Sequence, residues 1–219
     1  IIPVYNSSKY ISKTIETVLK QTYKKIEIVF VDDCSTDNSA DIIKEYKKKY
    51  NNIVYHLQKK NRGAAVARNK GLDLSKGRYV AFLDSDDLWS PEKIKKQLKV
   101  MKLNKVGFCY TAYEMIDESG ELIKDKIEII KKVEYNDLLK KTVISTPTVV
   151  LDRELVGNLK MPNRRTGQDY AYWLLLLKKV KFAYGLDEAL VQVRRRSNSL
   201  SKNKFQNILD VWEVQTQNE

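Results

Sequence analysis

Short apolar runs alternate with segments of helical periodicity along the first half of the chain. The apolar runs have the length of β-strands and lie at residues 26–31, 53–57, 79–83 and 106–110. Between them, apolar residues recur every three or four positions, as on helices that bury one face, at 10–19, 42–46 and 94–101. This order, with few polar residues inside the strands, predicts an α/β fold with a mainly parallel central sheet and helices on both faces.

The second half of the chain follows this pattern less regularly. Its predicted elements are a turn between two strands at 117–121, a strand in 145–155, a helix in 168–180 entered at Asp169, a last strand in 186–196 and an amphipathic helix at 203–214. The sequence "SPEK" at 90–93 predicts a helix capped by Ser90 with Pro91 as its first residue. No repeat or low-complexity linker interrupts residues 1–219, which we therefore expect to form a single domain.

The two ends of the sequence and its longest apolar run bear on cellular location. The chain begins with "IIPVYN", without Met and inside an apparent strand, so we expect it to lack the start of the first strand and a C-terminal extension. The longest apolar run, at 170–177, is too short to cross a bilayer and predicts a buried helix.

Cys34 and Cys109 are isolated cysteines, which fits a reducing, cytoplasmic setting without a disulfide framework or zinc site. His56 is the only histidine, which excludes HExxH zinc sites and Ser-His-Asp triads.

The net charge of +12 comes mostly from lysine. Lysine runs at 44–50 and 92–99 are typical of solvated helix faces, and an anionic membrane surface is the alternative partner. No helix-turn-helix, RNP or zinc-finger signature accompanies the charge, so we do not expect nucleic acid as a partner.

Acidic residues follow two of the predicted strands. Asp32 and Asp33 end the first run, and "LDSDD" places three carboxylates within residues 84–87. Carboxyl ends of parallel strands share one edge of a sheet, where ligands bind. Crowded carboxylates repel one another unless a cation offsets them, and oxygen ligands of this kind suit Mg²⁺ or Mn²⁺. Helix capping or a solvated turn remains the alternative.

Four motifs together resemble family 2 glycosyltransferases. They are "IIPVYN" at the start, "VDDCSTDNS" at 31–39, "NRGAAVARNKGL" at 61–72 and "YVAFLDSDDLWSPEKI" at 79–94. The resemblance covers about residues 1–113 and continues more loosely through "GQD" at 167–169 and "RRRSNSLS" at 194–201. It implies the Rossmann-like GT-A fold of nucleotide-diphospho-sugar transferases, with a nucleotide-sugar-binding half at 1–113 and an acceptor-binding half at 114–219.

The resemblance also implies a set of nucleotide-binding residues. These are Pro3, Tyr5, Asn6, Asp33, Arg68, Asp84 and Ser85. Tyr5 would stack on the base, and Asp33 would accept the N3–H of uracil, which favours a UDP-sugar as donor. An ordinary core aromatic is the alternative for Tyr5.

The metal and the catalytic base are implied in the same way. Asp86 would be the main ligand of Mn²⁺ or Mg²⁺, with Asp84 and Asp87 as further ligands, and the ion would take up charge on the departing diphosphate. Asp169 would be the base that deprotonates the acceptor hydroxyl, giving inversion. A plain helix N-cap is the alternative for Asp169, and both roles are compatible because a helix N-terminus favours the ionised carboxylate.

The chain departs from the family pattern at two positions. Gln168 stands where family members often have an acidic residue, and Arg196 stands where they often have a histidine. Arg194, Arg195 and Arg196 would then clamp the diphosphate, with an exposed basic loop as the alternative.

The resulting hypothesis is an inverting hexosyl- or N-acetylhexosaminyltransferase that uses a UDP-sugar. Its hydroxyl acceptor would be a lipid-linked glycan of bacterial surface polysaccharide synthesis, reached from the cytoplasm at the inner face of the membrane. A non-catalytic nucleotide-sugar-binding protein, or a basic membrane-surface module, is the alternative. "IIPVYNSSKY" lacks the Gly-rich loops that nucleotidyltransferases and nicotinamide enzymes need there.

Overall fold

The computed structural model describes residues 1–141, 143–164 and 166–196. Its strands are β1 (Ile2–Val4), β2 (Ile28–Asp32), β3 (Ile53–Leu57), β4 (Tyr79–Ala81), β5 (Leu88–Trp89), β6 (Phe108–Ile116), β7 (Leu122–Ile127), β8 (Lys132–Val133), β9 (Val150–Asp152) and β10 (Ala183–Arg194). Its helices are α1 (Ile11–Leu19), α2 (Ser39–Lys49), α3 (Ala64–Leu74), α4 (Lys93–Asn104), α5 (Tyr135–Lys140), α6 (Arg153–Val156) and α7 (Gln168–Leu177), with a 3-10 turn at Thr146–Thr148.

Two sets of strands make up the central sheet. The first has the order β1-β2-β3, and the second has the order β4-β9-β6-β10-β5, with β7 beside β6 and β8 beside β10. The Ile1 nitrogen donates to the Ala81 carbonyl (2.8 Å), and the Leu83 nitrogen donates to the Ile1 carbonyl (3.1 Å). These two bonds join the sets edge to edge, so the sheet is continuous.

Strand direction differs between the two sets. The pairs β1–β2, β2–β3 and β6–β10 are parallel, whereas β4, β5, β7, β8 and β9 join their neighbours in antiparallel fashion. The α/β class is confirmed, but the mainly parallel sheet is found only in the first set. A short turn is enough to link antiparallel strands, and the predicted turn between β6 and β7 is of this kind.

Helices cover both faces of the sheet. Val29 and Val31 of β2 pack with Ala67 of α3 on one face, whereas Ile28 and Phe30 pack in the core with α1 on the other. Trp173 of α7 contacts Phe108 of β6 and Phe82, which directly follows β4. Burial on both faces explains why β2 contains so few polar residues.

Two predicted helix starts differ from the structure. Helix α4 begins at Lys93, because residues 91–92 form a turn in which the Lys93 nitrogen donates to the Ser90 carbonyl. Helix α7 begins at Gln168 with Gly167 at the N-cap in a left-handed conformation (φ 65°). Asp169 therefore lies in the first turn, and its interpretation as the N-cap was wrong. The terminal helix predicted at 203–214 lies outside the described residues.

Lys93 is a buried cation that provides a test of the packing around α4. Its side chain is fully buried, Nζ lies 4.2 Å from the Trp89 ring centroid, and Nζ has no hydrogen-bond partner within the described ranges. Burial lowers the pKa of Lys93 from its ordinary value of 10.5 to about 7. Between these two values the unfolded chain holds a proton that the folded chain lacks, so this group destabilises the fold increasingly as pH falls from 10.5 towards 7.

Lys93→Met is therefore expected to raise the free energy of unfolding at pH 7 by an amount on the order of 3 kcal/mol. Urea unfolding at two pH values checks this. The stability of the unmodified chain should rise between about pH 7 and pH 9, and that of the variant should rise less. A variant that is less stable at pH 7 would show that the ammonium group stabilises the fold.

Candidate active site

The candidate site lies where β1, β2 and β4 reach their carboxyl ends. Tyr5 follows β1, Asp33 follows β2, and Asp84 lies three residues beyond β4. The Ser7 and Ser85 hydroxyl oxygens are 2.7 Å apart, and the Thr14 hydroxyl donates to the Ser85 carbonyl (3.1 Å). These bonds hold the acidic turn, residues 84–87, against the segment that follows β1.

Tyr5 and Asn6 form the loop that leaves β1. Tyr5 is 50% exposed, so its interpretation as a core aromatic was wrong. Asn6 has a left-handed backbone (φ 47°), and its side-chain Oδ1 accepts from the Thr36 nitrogen (2.8 Å). Asn6 therefore ties this loop to the loop after β2. Pro3 lies within β1, opposite Val31.

Asp33 is buried and accepts three hydrogen bonds. Its donors are Gln58 Nε2 (2.5 Å), the Arg62 nitrogen (2.8 Å) and the Gly63 nitrogen (2.7 Å). The carboxylate thus fixes the loop that enters α3. A carboxylate has about four acceptor positions, so a contact with uracil N3–H is compatible with these bonds and stays a prediction.

Arg68 is paired with the acidic turn, and the charge of the predicted base also acts on it. Its buried side chain donates from Nη2 to Asp84 Oδ1 (2.5 Å). Burial lowers its pKa, but the charges of Asp84, Asp169 and Asp87 outweigh burial and the pKa is raised. All three carboxylates therefore act on this one guanidinium.

Asp86 and Asp87 are compensated by residues at the end of β10. Asp86 Oδ2 lies 2.7 Å from Arg196 Nε, and Asp87 Oδ1 accepts from the Arg194 nitrogen (2.7 Å). Burial raises the pKa of Asp86 against the opposing charge of Arg196. Burial, followed by the charges of Asp84 and Asp86, raises the pKa of Asp87 well above its ordinary value. The crowded carboxylates are therefore offset by the chain itself, through an arginine side chain and a backbone nitrogen.

The carboxylates differ in their suitability as metal ligands. Within 1–141, 143–164 and 166–196, no group of three or more His, Cys, Asp or Glu residues is arranged to hold a metal ion. Asp87 is the most buried of the three and its Oδ1 accepts from the Arg194 nitrogen, so its role as a further ligand stays a prediction. Asp84, whose side chain is 33% exposed, and Asp86 fit a site of two carboxylates that diphosphate oxygens and water complete.

The three arginines at the end of β10 have different environments. Arg194 is buried, and its guanidinium donates to the carbonyls of Asp86, Asp117 and Glu118. This does not agree with its predicted contact to the diphosphate, because those bonds commit the side chain to the protein. Arg195 is exposed, as the basic-loop alternative expects, and Arg196 pairs with Asp86.

Asp169 is held by one hydrogen bond on each carboxylate oxygen. Oδ1 accepts from the Tyr170 nitrogen (2.9 Å), and Oδ2 accepts from the Thr146 hydroxyl (2.9 Å). The side chain is partly buried in the first turn of α7. Thr146 was not predicted as part of the site, because "STPTVV" was interpreted only as a strand.

The α/β fold and the acidic residues at its strand ends agree with the family comparison. The family model described as glycosyl transferase family 2 matches residues 1–157. The chain belongs to glycosyl transferase family 2, and it is a glycosyltransferase.

Two relatives match almost the whole chain. TuaG of Bacillus subtilis, named for teichuronic acid biosynthesis, is 44% identical over 98% of this chain and 85% of its own length. The Escherichia coli protein WfaP, named UDP-Glc:α-D-GlcNAc-diphosphoundecaprenol β-1,3-glucosyltransferase, is 39% identical over 95% of this chain and 81% of its own length.

Solved structures confirm the GT-A fold. Staphylococcus aureus TarS 1–349 in complex with UDP-GlcNAc superposes with a TM-score of 0.79 at 23% identity, over 97% of this chain and 62% of that chain. The mannosyltransferase PcManGT of Pyrobaculum calidifontis, in complex with GDP-Man and Mn²⁺, gives a TM-score of 0.70 at 17% identity, over 99% of this chain and 63% of that chain. Thus the chain spans less than two thirds of either structure. None of the helices in the described ranges combines the length and apolar character needed to span a bilayer.

Proposed function

We propose that this glycosyltransferase moves a sugar from a UDP-sugar to a hydroxyl of a lipid-linked glycan, with inversion, in bacterial surface polysaccharide synthesis. The observation that carries the proposal is that Tyr5, Asp33 and Asp84 lie together at the carboxyl ends of β1, β2 and β4, where Arg68 pairs with Asp84. The names of TuaG and WfaP, and the UDP-GlcNAc bound by TarS, support the donor and the pathway class.

The donor nucleotide would occupy the edge of the sheet beside β1. The exposed Tyr5 ring offers a stacking surface for the base, and Asp33 offers an acceptor for uracil N3–H. Pro3, Asn6 and Ser85 would complete this pocket. Arg68 and Arg196 would face the negative charge of the diphosphate, because guanidinium groups match phosphate geometry.

The transfer would be a single displacement. The acceptor oxygen forms a bond to the anomeric carbon while the bond from that carbon to the diphosphate oxygen breaks, and the electron pair leaves with UDP. Asp169 takes the hydroxyl proton on the carboxylate that Thr146 and the Tyr170 nitrogen hold in place. Asp84 and Asp86 would hold Mn²⁺ or Mg²⁺, which when bound supplies positive charge next to the leaving diphosphate.

The net charge supports a location at the membrane surface. We place the reaction in the cytoplasm at the inner face of the membrane, where anionic lipids attract a chain of net charge +12. A lipid-linked acceptor would be reached from that surface.

A donor screen tests the proposal without an acceptor. Nucleotide sugars with uracil, guanine, thymine or cytosine bases are incubated with the protein and Mn²⁺, and release of nucleoside diphosphate is measured. We expect slow hydrolysis of a UDP-sugar and little of the GDP- and CDP-sugars, because the pocket offers uracil both stacking and a specific acceptor.

Tyr5→Ala and Tyr50→Ala are matched variants for this screen, since both tyrosines are exposed, by 50% and 40%. Loss of base stacking should weaken UDP binding about tenfold or more in Tyr5→Ala only. Absence of both UDP binding and hydrolysis in the unmodified protein would overturn the proposed donor. UDP binding without turnover, even when acceptors are supplied, would favour the non-catalytic alternative.

A further inference from the structure

Asp169, the predicted base in helix α7, is oriented by Thr146, a residue outside that helix. Thr146 is only 4% exposed, and its hydroxyl donates to Asp169 Oδ2 (2.9 Å). The other oxygen, Oδ1, accepts from the Tyr170 nitrogen within α7. Among the residues that the structure describes, one donor bonds each oxygen, which holds the carboxylate in one orientation and leaves each oxygen capacity to accept a further hydrogen.

The turn that carries Thr146 is itself anchored to the donor side of the site. Trp89 Nε1 donates to the Pro147 carbonyl (2.9 Å), and Gln97 Nε2 donates to the Thr148 carbonyl (3.0 Å). Both side chains are buried, and Trp89 follows Asp87 by two residues in the chain. Hydrogen bonds thus run from the segment after the acidic turn, through the 3-10 turn, to the base.

We infer that Thr146 is a positioning residue of the transfer reaction, holding the Asp169 carboxylate in the orientation in which it accepts the acceptor proton. The inference rests on the proposed function, in which Asp169 is the base. Proton transfer needs heavy atoms about 2.6–3.2 Å apart, so a carboxylate free to rotate spends less time in the reactive geometry.

The chain offers a matched control on the same turn. Thr148 is fully buried, and its hydroxyl donates to the Ser145 carbonyl (2.6 Å) instead of the base. Thr146→Val and Thr148→Val remove the same group from the same turn, and only the first removes a bond to Asp169. Thr146→Ser keeps the hydroxyl.

Initial rates with a saturating and a limiting UDP-sugar give kcat and KM for each variant. Thr146→Val is expected to lower kcat about 10- to 100-fold and to change the donor KM less than about twofold, because the bond serves the proton-transfer step. Thr146→Ser should restore kcat to within about threefold of the unmodified protein, and Thr148→Val should stay within the same range. Thermal melting checks folding, and Thr146→Ala replaces the valine variant if that one does not fold.

Two results would overturn the role of Thr146 and leave the proposed function intact. One is an unchanged kcat in Thr146→Val, and the other is an equal loss of kcat in Thr146→Val and Thr148→Val, which would indicate a general disturbance of the turn. Asp169→Asn is measured in parallel to separate the two claims. If Asp169→Asn retains turnover, the base assignment of the proposed function fails, and the role of Thr146 fails with it.

Discussion

Replacing Asp169 with Asn is expected to lower kcat of sugar transfer by about 10³-fold or more while UDP affinity stays within about twofold. The amide has the shape of the carboxylate and can still accept from Thr146, but it cannot take a proton from the acceptor hydroxyl. Asp169 is not among the residues proposed to touch the nucleotide. The loss should therefore fall on the chemical step.

Transfer to an acceptor and calorimetric UDP binding, measured on the same preparation, check this result. Asp41→Asn is the matched control, because Asp41 also lies in the first turn of a helix but is exposed on α2. It should leave both quantities unchanged. Retention of more than about a tenth of the turnover in Asp169→Asn would show that another group is the base.

Removing divalent cations is expected to weaken UDP binding at least tenfold and to abolish transfer, with recovery on adding Mn²⁺ or Mg²⁺. A diphosphate beside Asp84 and Asp86 brings further negative charge to a turn that is already crowded. Arg68 and Arg196 offset the two carboxylates in the structure, each by one ion pair. Because both arginines are already paired with carboxylates, an incoming diphosphate adds more negative charge than they offset, and a divalent cation would supply the rest.

Uridine is the control ligand for this experiment, because it keeps the base and lacks the diphosphate. Its affinity should be the same with chelator and with Mn²⁺, whereas that of UDP should differ. Asp86→Asn should reduce the difference between the UDP affinity measured with Mn²⁺ and that measured with chelator. Equal UDP affinity with and without chelator would show that the arginines alone neutralise the diphosphate and that UDP binding needs no metal ion.

The sequence predicts the first half of the fold well because its strands are short apolar runs, and β2 is buried along its whole length. Apolar runs of strand length coincide with β2 and β3, which pair in register over five residues with their carboxyl ends at one edge. Strand β5 has only two residues, too few to show any periodicity. The antiparallel direction of β9 depends on its partners β4 and β6, which no local pattern reveals.

The site was predictable where it depends on strand ends and not where it depends on distant contacts. Asp33 and Asp84 follow strands, so their common edge follows from the α/β pattern. Thr146 meets Asp169 across 23 residues of sequence, and a single threonine carries no signal of that contact. The burial of Arg194 was missed because its partners are backbone carbonyls, which any sequence possesses.

A crystal structure of the Asp169→Asn variant with a UDP-sugar and Mn²⁺ tests the central claim most directly, because this variant should bind the donor without using it. We expect uracil against Tyr5, the ion between the diphosphate and Asp86, and the anomeric carbon facing residue 169. A nucleotide bound away from Tyr5, or a diphosphate with no ion between it and Asp84 or Asp86, would contradict the account.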